Sequence, residues 1–203
     1  MEKNDLLKHI SEAGYNVGYT AKLHFSSYEM IEKIPGLISA FSMVFGIYAL
    51  VIEGLSTKLI SSTLLVLGIV GLYVSLSNSN KDDYQLKGVA LTNLFNSLKH
   101  LLSETKHESG DLEPLSERLR ELEIEYSSNC APKHIMFATW FAHYKFFWEQ
   151  QTKWIEEYRP FDFFRDKIPL TLWITIFIAV ICAVLNFSDL ISYIQGICNT
   201  PEE

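Results

Sequence analysis

Cysteine is scarce in this sequence, and the signatures of enzymes are missing. The three cysteines, Cys130, Cys182 and Cys198, are isolated and lack metal-ligand spacing, which argues against both a disulfide scaffold and a zinc site. No GxSxG, HExxH, phosphate-loop or dinucleotide fingerprint occurs. We therefore expect no enzymatic activity, no metal site and no cofactor.

Charge is absent from three long stretches, residues 34–52, 59–76 and 168–187, none of which contains Asp, Glu, Lys, Arg or His. At roughly 1.5 Å per helical residue, each stretch approaches the thickness of the hydrocarbon core of a bilayer. Ionisable residues at membrane depth mark proton relays and coupled transport, so their absence argues against an ion-coupled transporter. We expect three transmembrane helices, with the lipid bilayer as a partner.

Lysine and arginine are distributed unevenly around these stretches. Residues 1–33 carry four, the link between the first two stretches carries Lys58 alone, and residues 77–167 carry twelve, whereas residues 188–203 carry none. Because positive residues are retained on the cytoplasmic side of a membrane, we expect residues 1–33 and 77–167 in the cytoplasm. The short link and the tail are then expected outside.

Helical periodicity runs through the polar segments, and strand-like alternation is absent from the sequence. Helices are expected over residues 4–33, from Asp82 to about Lys106, from an N-cap at Asp111 onward, and from about Pro132 to Tyr158. Pro35 is expected at the head of the first span, where a missing amide donor costs little.

These patterns predict an all-α integral membrane protein in five parts. They are a cytoplasmic N-terminal helix (residues 1–33), a transmembrane hairpin (34–76), a cytoplasmic helical region (77–167), a third transmembrane helix (168–187) and an external tail (188–203).

Small residues recur along the first two spans and are the candidate helix-packing or pore-lining positions. They are Ser39, Ser42, Gly46, Gly68, Gly71 and Ser75. Small residues four apart let helix backbones approach closely, within the hairpin or between subunits. A second interpretation is a weakly polar seam that lines a water path after assembly. Three spans cannot enclose a channel alone, so a pore would require a homo-oligomer.

Aromatic and cationic residues in the cytoplasmic region are the candidate signal or partner sites. The aromatic candidates are Trp140, Tyr144 and Trp148, and the cationic ones are Arg118, Arg120 and Lys133. The aromatic face is expected to pack against the helix that contains Leu86–Leu102, with a base-stacking platform as the alternative. Residues 77–167 hold twelve Lys and Arg against fifteen Asp and Glu, which disfavours broad nucleic-acid binding.

Three sequence segments carry a likeness to a known family. They are GYTAKLHFSSYEMIEKIPGL entering the first span, KDDYQLKGVALTNLFNSL leaving the second, and the SSNCAPKH break before the aromatic segment. This order of a polar helix, a tight hairpin and amphipathic cytoplasmic helices resembles the SLATT family of membrane effectors from bacterial conflict systems. The third span departs from the simplest two-span plan of that family.

The resemblance implies a pore-forming or membrane-disrupting effector of antiphage defence, acting by abortive infection in the bacterial inner membrane. It implies partners encoded nearby, such as a nucleotide cyclase or a retron reverse transcriptase, and hence a cyclic nucleotide as one candidate signal. It supplies no catalytic residues. The alternative function is a membrane-anchored binding module or scaffold that recruits a partner without opening a pore.

Overall fold

The computed structural model describes residues 2–52, 58–130, 134–135, 137–162 and 166–185. Within these ranges the chain is helical and has no strand, which confirms the all-α class. The helices are α1 (Lys3–Val51), α2 (Lys58–Leu76), α3 (Lys81–His107), α4 (Glu113–Asn129), α5 (Ala138–Tyr144), α6 (Lys153–Glu156) and α7 (Leu170–Leu185). A 3₁₀ turn (Asn78–Asn80) joins α2 to α3, and a π-helical turn (Lys145–Glu149) follows α5.

Residues 1–160 and residues 161–203 form two compact units. The first contains α1 to α6, and the second contains α7.

Helix α1 is a single helix of 49 residues, or about 74 Å at the usual rise. Pro35 was expected at the head of the first span, where a missing amide donor costs little, but it lies inside α1. Its ring has no N–H to donate to the carbonyl of Ile31, the bond that a regular helix would make there. Ile31 and Ile34, both just before Pro35, pack into one apolar cluster, so contacts outside the helix support it at this point.

The N-terminal half of α1 packs along α3 in an antiparallel pair. Leu6, Ile10, Leu91 and Leu98 are fully or almost fully buried, as their spacing on two apolar helix faces predicts. The ammonium of Lys3 donates hydrogen bonds to the carbonyl oxygens of residues 106 and 108, at 2.8 Å and 2.7 Å. The start of α1 thereby caps the end of α3, whose last carbonyls have no partner within the helix.

Two helical stretches are long and apolar enough to cross a membrane: α1, and the stretch from Ile60 to His107 that includes α2. The most apolar 18 residues of α1 contain no buried residue, and those of the second stretch are 6% buried. An exposed apolar surface of this extent is unfavourable in water but not in lipid. The apolar segments are therefore suited to a bilayer rather than to the core of a soluble protein.

The single helix expected from about Pro132 to Tyr158 is divided in the structure into α5, the π-helical turn and α6. Phe146 and Ile155 are both fully buried, and the segments that carry them both pack on α1. Nine residues apart on a regular helix, they would point in opposite directions. The break turns the chain so that both side chains face α1, a requirement that local periodicity does not reveal.

Helix α7 is formed by the third apolar stretch. Its 16 described residues correspond to about 24 Å, somewhat less than the roughly 30 Å of a hydrocarbon core. Residues 186–187 of the expected span and the whole of the expected tail lie outside the described residues. A third crossing of the membrane stays a prediction.

Two reporter fusions test this crossing in the full-length chain. A reporter inserted near Gly110 is expected on the cytoplasmic side, and one fused after Glu203 on the outer side, because the flanking cations of residues 77–167 resist translocation. Alkaline phosphatase and fluorescent-protein activities measure the two locations. Fusions that report the same side would show that the third stretch does not cross.

Candidate functional site

Both arms of the hairpin share an apolar cluster with a third segment where the sequence changes from polar to apolar. An apolar cluster there combines Ile31 of α1, Val74 of α2 and Tyr84 of α3 with Ile135 and Ala138. All five residues are at most 5% exposed. We call this region the junction. Ile135 and Ala138 thus belong to the same cluster as residues of each arm at the base of the spans.

A cavity of about 490 Å³ opens beside this cluster, within the size range of roughly 300–1,000 Å³ that is common for small-molecule sites. We call it the junction cleft. It lies between α1 and α5, and Ile34 and Leu37, which line it, already belong to the first apolar stretch. The full lining is Glu29, Met30, Lys33, Ile34, Leu37, Phe137, Trp140, Phe141 and Tyr144.

One carboxylate and two lysines form an ion group at the edge of this cleft. The Glu29 carboxylate accepts hydrogen bonds from Lys33, at 3.0 Å, and from Lys145. Burial alone would raise the pKa of Glu29, but the hydrogen bonds from Lys145 and Lys33 outweigh it and hold the pKa below its ordinary value. The ammonium of Lys145 also lies over the ring of Phe141, at 4.8 Å from its centre. These bonds tie the π-helical turn to α1.

Phe137, at the start of α5, adopts a left-handed backbone conformation with a φ of 67°. For a residue with a bulky side chain this conformation is unusual and costs on the order of 1–2 kcal/mol. The side chain is 51% exposed and forms part of the cleft wall, next to the ring of Trp140 at 5.2 Å between centres. Backbone strain of this kind collects at binding and switch regions.

A buried histidine lies one helical turn below the cleft on α1. His24 is 0% exposed, and its ring meets those of His134, at 5.0 Å between centres, and Tyr84, at 5.8 Å. Neither ring nitrogen of His24 has a hydrogen-bonding partner among the residues that the structure describes. The hydroxyl oxygen of Ser27 lies 3.3 Å from Nδ1 of His134. His24, His134 and Ser27 thus form a small polar group inside an apolar junction.

This environment opposes positive charge on both histidines. Burial, followed by the neighbouring His134, lowers the pKa of His24 to about 4. Burial likewise lowers the pKa of His134. Both rings are therefore neutral near pH 7, and a proton on either would place a charge between α1, α3 and residue 135.

The aromatic candidates fall in two places. Trp140 and Tyr144 line the junction cleft, whereas Trp148 is 75% exposed on the π-helical turn and is not part of it. Helix α5 packs on α1 through the buried residues Ala138 and Ala142, rather than on α3 as expected. Sequence reasoning missed Glu29, although its spacing of four residues from Lys33 is a recognisable helical ion pair.

The cationic candidates are not gathered by the described structure. Arg118 and Arg120 are exposed on α4, and Arg118 pairs with Glu121 at 2.8 Å. Two positions apart on a helix, the two arginines point to different sides. Lys133 lies outside the described residues. A phosphate site built from these three residues stays a prediction.

The small residues of the spans fall into two groups. Gly71 is buried, and a Cβ placed on it would lie 3.3 Å from the Cδ1 atom of Ile38, so it belongs to the seam between the two arms. Cβ atoms placed on Gly46 and Gly68 would have no described atom within 4 Å. The hydroxyl of Ser39 donates to the carbonyl of Pro35 at 2.8 Å, while Ser42 is half-buried and Ser75 exposed.

One comparison with known proteins gives a match. A family model described as "SMODS and SLOG-associating 2TM effector domain 6" matches residues 1–176. The matched range contains α1 to α6, including the whole junction, and the first seven residues of α7. No curated protein and no solved structure matches the chain.

Acid is expected to destabilise the folded chain through His24. Between the ordinary histidine pKa of 6.5 and the folded value of about 4, the unfolded state binds more protons, so stability falls as the pH falls through this window. From pH 7 to pH 5 the loss is about 2 kcal/mol. Thermal unfolding of the full chain in detergent micelles, followed by circular dichroism, measures it.

His24→Leu should unfold with a smaller difference between pH 7 and pH 5 than the unsubstituted chain. The matched control, His100→Leu, replaces an exposed histidine of α3 and should leave the difference unchanged. Equal pH dependence in all three proteins would contradict the assignment to His24.

Proposed function

Because the chain belongs to the family of SMODS and SLOG-associating 2TM effector domains, we propose that it is a pore-forming effector of bacterial antiphage defence. In this proposal it resides in the inner membrane with the junction on the cytoplasmic side, and it has no enzymatic activity. Copies of the chain assemble and permeabilise the membrane when a signal reaches the cytoplasmic helices, which kills or arrests the infected cell.

The observation that carries the proposal is the continuity of α1 from the cytoplasmic layer into the first apolar stretch. A continuous helix transmits rotation or tilt along its length, since no loop interrupts it, and the backbone stays helical even at Pro35, where one hydrogen bond is missing. The short turn between α2 and α3 gives the second arm a similar connection. A change in packing around α1 near Ile31 therefore moves the span that begins three residues later.

Assembly is required because two or three spans cannot enclose a pore. Gly46 and Gly68 suit this role, since they are exposed, lie in the apolar halves of α1 and α2, and have no described atom within 4 Å of an added Cβ. Glycines on a membrane helix allow a second helix to approach closely. We assign them to contacts between copies, and Gly71 to contact within the hairpin.

Gating in this proposal is a shift between a closed and an open packing of the junction. A signal shifts such a balance only through unequal affinity for the two states. A change from about 1% to 99% open requires roughly a 10⁴-fold preference, or about 5.5 kcal/mol. An exposed ion pair such as Arg118–Glu121 is too weak to supply this, whereas a ligand or protein that contacts each subunit of an oligomer is not.

The source of the signal is proposed to be a partner from the same defence system. A nucleotide cyclase would supply a cyclic nucleotide, whereas a retron reverse transcriptase would act by protein contact. For contact with a protein, Trp140 and Tyr144 at the rim of the cleft offer the more concentrated surface, because Arg118 and Arg120 point to different sides of α4.

A scaffold without a pore is the second candidate. The exposed rings of Trp148 and Tyr144, at 75% and 54% exposure, favour it, since exposed aromatic residues are common anchors of protein interfaces. Entry of an impermeant dye after expression, with and without the neighbouring genes, separates the two functions. A scaffold leaves the membrane sealed in both cases.

Replacement of Gly46 with leucine should abolish toxicity and oligomer formation while leaving the helical content of the monomer unchanged. The added side chain separates neighbouring copies but meets no described atom of its own chain. Gly71→Leu should instead lower the thermal stability of the chain itself, because it collides with Ile38. Leu65→Phe, on an exposed part of α2, is the control, and crosslinking in membranes with thermal unfolding gives the measurements.

A double variant and a triple variant show which of the two candidate surfaces receives the signal. Ala replacement of Trp140 and Tyr144 should suppress signal-dependent dye entry at unchanged protein level, because both residues contact the cleft next to α1. Ala replacement of Arg118, Arg120 and Lys133 tests the phosphate site. If only the cationic variant loses its response, the cleft is not the signal surface.

A further inference from the structure

The junction cleft has walls that are poorly matched to water. Of its nine lining residues, only Glu29 and Lys33 are charged, and the rest are aliphatic or aromatic. Leu37 and Phe137, on opposite walls, are 54% and 51% exposed. Each apolar wall exposed to water is unfavourable by roughly 25 cal/mol per Å². An apolar occupant would remove that surface from water.

The position of the cleft indicates where such an occupant comes from. Ile34 and Leu37 are the first apolar residues of the α1 span, so the cleft opens at the boundary between lipid and cytoplasm. Trp140 and Tyr144 on the other wall are the residue types that gather at this boundary, where one end of the ring is apolar and the other wet. Phospholipid chains are present at this level at high concentration.

The edge of the cleft favours an anion. Glu29 is shared between Lys33 and Lys145, so the three groups carry a net charge of about +1. The hydrogen bond to Glu29 raises the pKa of Lys33, which therefore stays protonated, and its side chain is 62% exposed beside the opening. A nucleotide would suit the cleft less well, because the polar edges of its base would face mostly apolar walls.

We propose that the junction cleft binds an acyl chain of an anionic membrane phospholipid, whose phosphate contacts Lys33. The chain fills the space between α1 and α5, and the headgroup lies at the Glu29–Lys33–Lys145 group. This inference rests on the proposed function only for the membrane location. A lipid held there links the two walls and stabilises the packing seen in the structure.

Photolabelling of the purified full chain in vesicles tests the site. Vesicles of phosphatidylglycerol or phosphatidylcholine are doped with the same lipid carrying a diazirine in one acyl chain, and labelled peptides are identified by mass spectrometry. In phosphatidylglycerol, residues 137–144 should be labelled severalfold more than in phosphatidylcholine. Lys33→Ala should bring the two lipids to similar labelling, and Lys33→Arg should retain the difference.

A matched pair of tryptophan variants distinguishes a bound chain from surrounding lipid. Leu37→Trp fills the cleft and should reduce labelling of residues 137–144 severalfold. Leu72→Trp, on an exposed part of α2 close to the same boundary and outside the cleft, should not. Equal labelling in both variants, or crosslinks between two copies at these residues, would overturn the proposal. Circular dichroism establishes that each variant is folded.

Dye release from the same vesicles separates this inference from the proposed function. If the vesicles leak while the cleft stays unlabelled, the lipid site is contradicted and the proposed pore function is not. Labelled protein that releases no dye under the activating signal supports the lipid site and contradicts the pore.

Discussion

The backbone of a helix that passes from water into lipid must keep its hydrogen bonds, and the rest of this structure depends on that constraint. Lipid offers no partner for a free N–H or carbonyl group, so a loop at the boundary would be costly. Helix α1 meets the requirement by continuing from its polar half into its apolar half without a loop. Even Pro35, which removes one bond, is accommodated, and Ile31 and Ile34 just before it are packed by other segments. One consequence is mechanical, since no loop separates the packed N-terminal half of α1 from its apolar half.

In the proposed mechanism, packing at the junction controls the position of the continuous helix α1. Ile135 and Ala138 share one apolar cluster with both arms of the hairpin, and the ion group of Glu29 and Lys145 ties the following turn to α1. Among the described residues of the first unit, the most apolar parts of α1 and α2 contain almost no buried residues, and Gly71 and Ile38 approach each other between them. In the proposed mechanism, the relative position of the spans is therefore governed by the cytoplasmic helices below them and by neighbouring copies within the membrane. A small rearrangement at residues 134–145 reaches the spans directly.

Patterns within a single helix were predictable from the sequence, and relations between helices were not. The charge-free stretches identified both apolar arms, and the apolar stripe of α3 placed its ends within about one residue of those observed, Lys81 and His107. The prediction of Asp111 as the N-cap of α4 is wrong by one residue, since Leu112 is the N-cap, although the carboxylate of Asp111 accepts a hydrogen bond from the N–H of residue 113. The division of the aromatic segment was missed, because burial of Phe146 and Ile155 together is imposed by α1. The cleft was missed for the same reason: its walls come from segments about 100 residues apart.

Two features of the junction raise the free energy of the folded chain. His24 holds two ring nitrogens without described partners in a buried site, and Phe137 has a left-handed backbone. Burial of an unpaired polar group and backbone strain of this type each cost on the order of 1–3 kcal/mol. In the proposed mechanism, these costs lower the preference for the closed packing over one that releases them. Without them the closed state would be favoured by more, and a signal worth about 5.5 kcal/mol would no longer reverse the population. Strain at the junction thereby keeps the open state within reach of a single binding event per subunit.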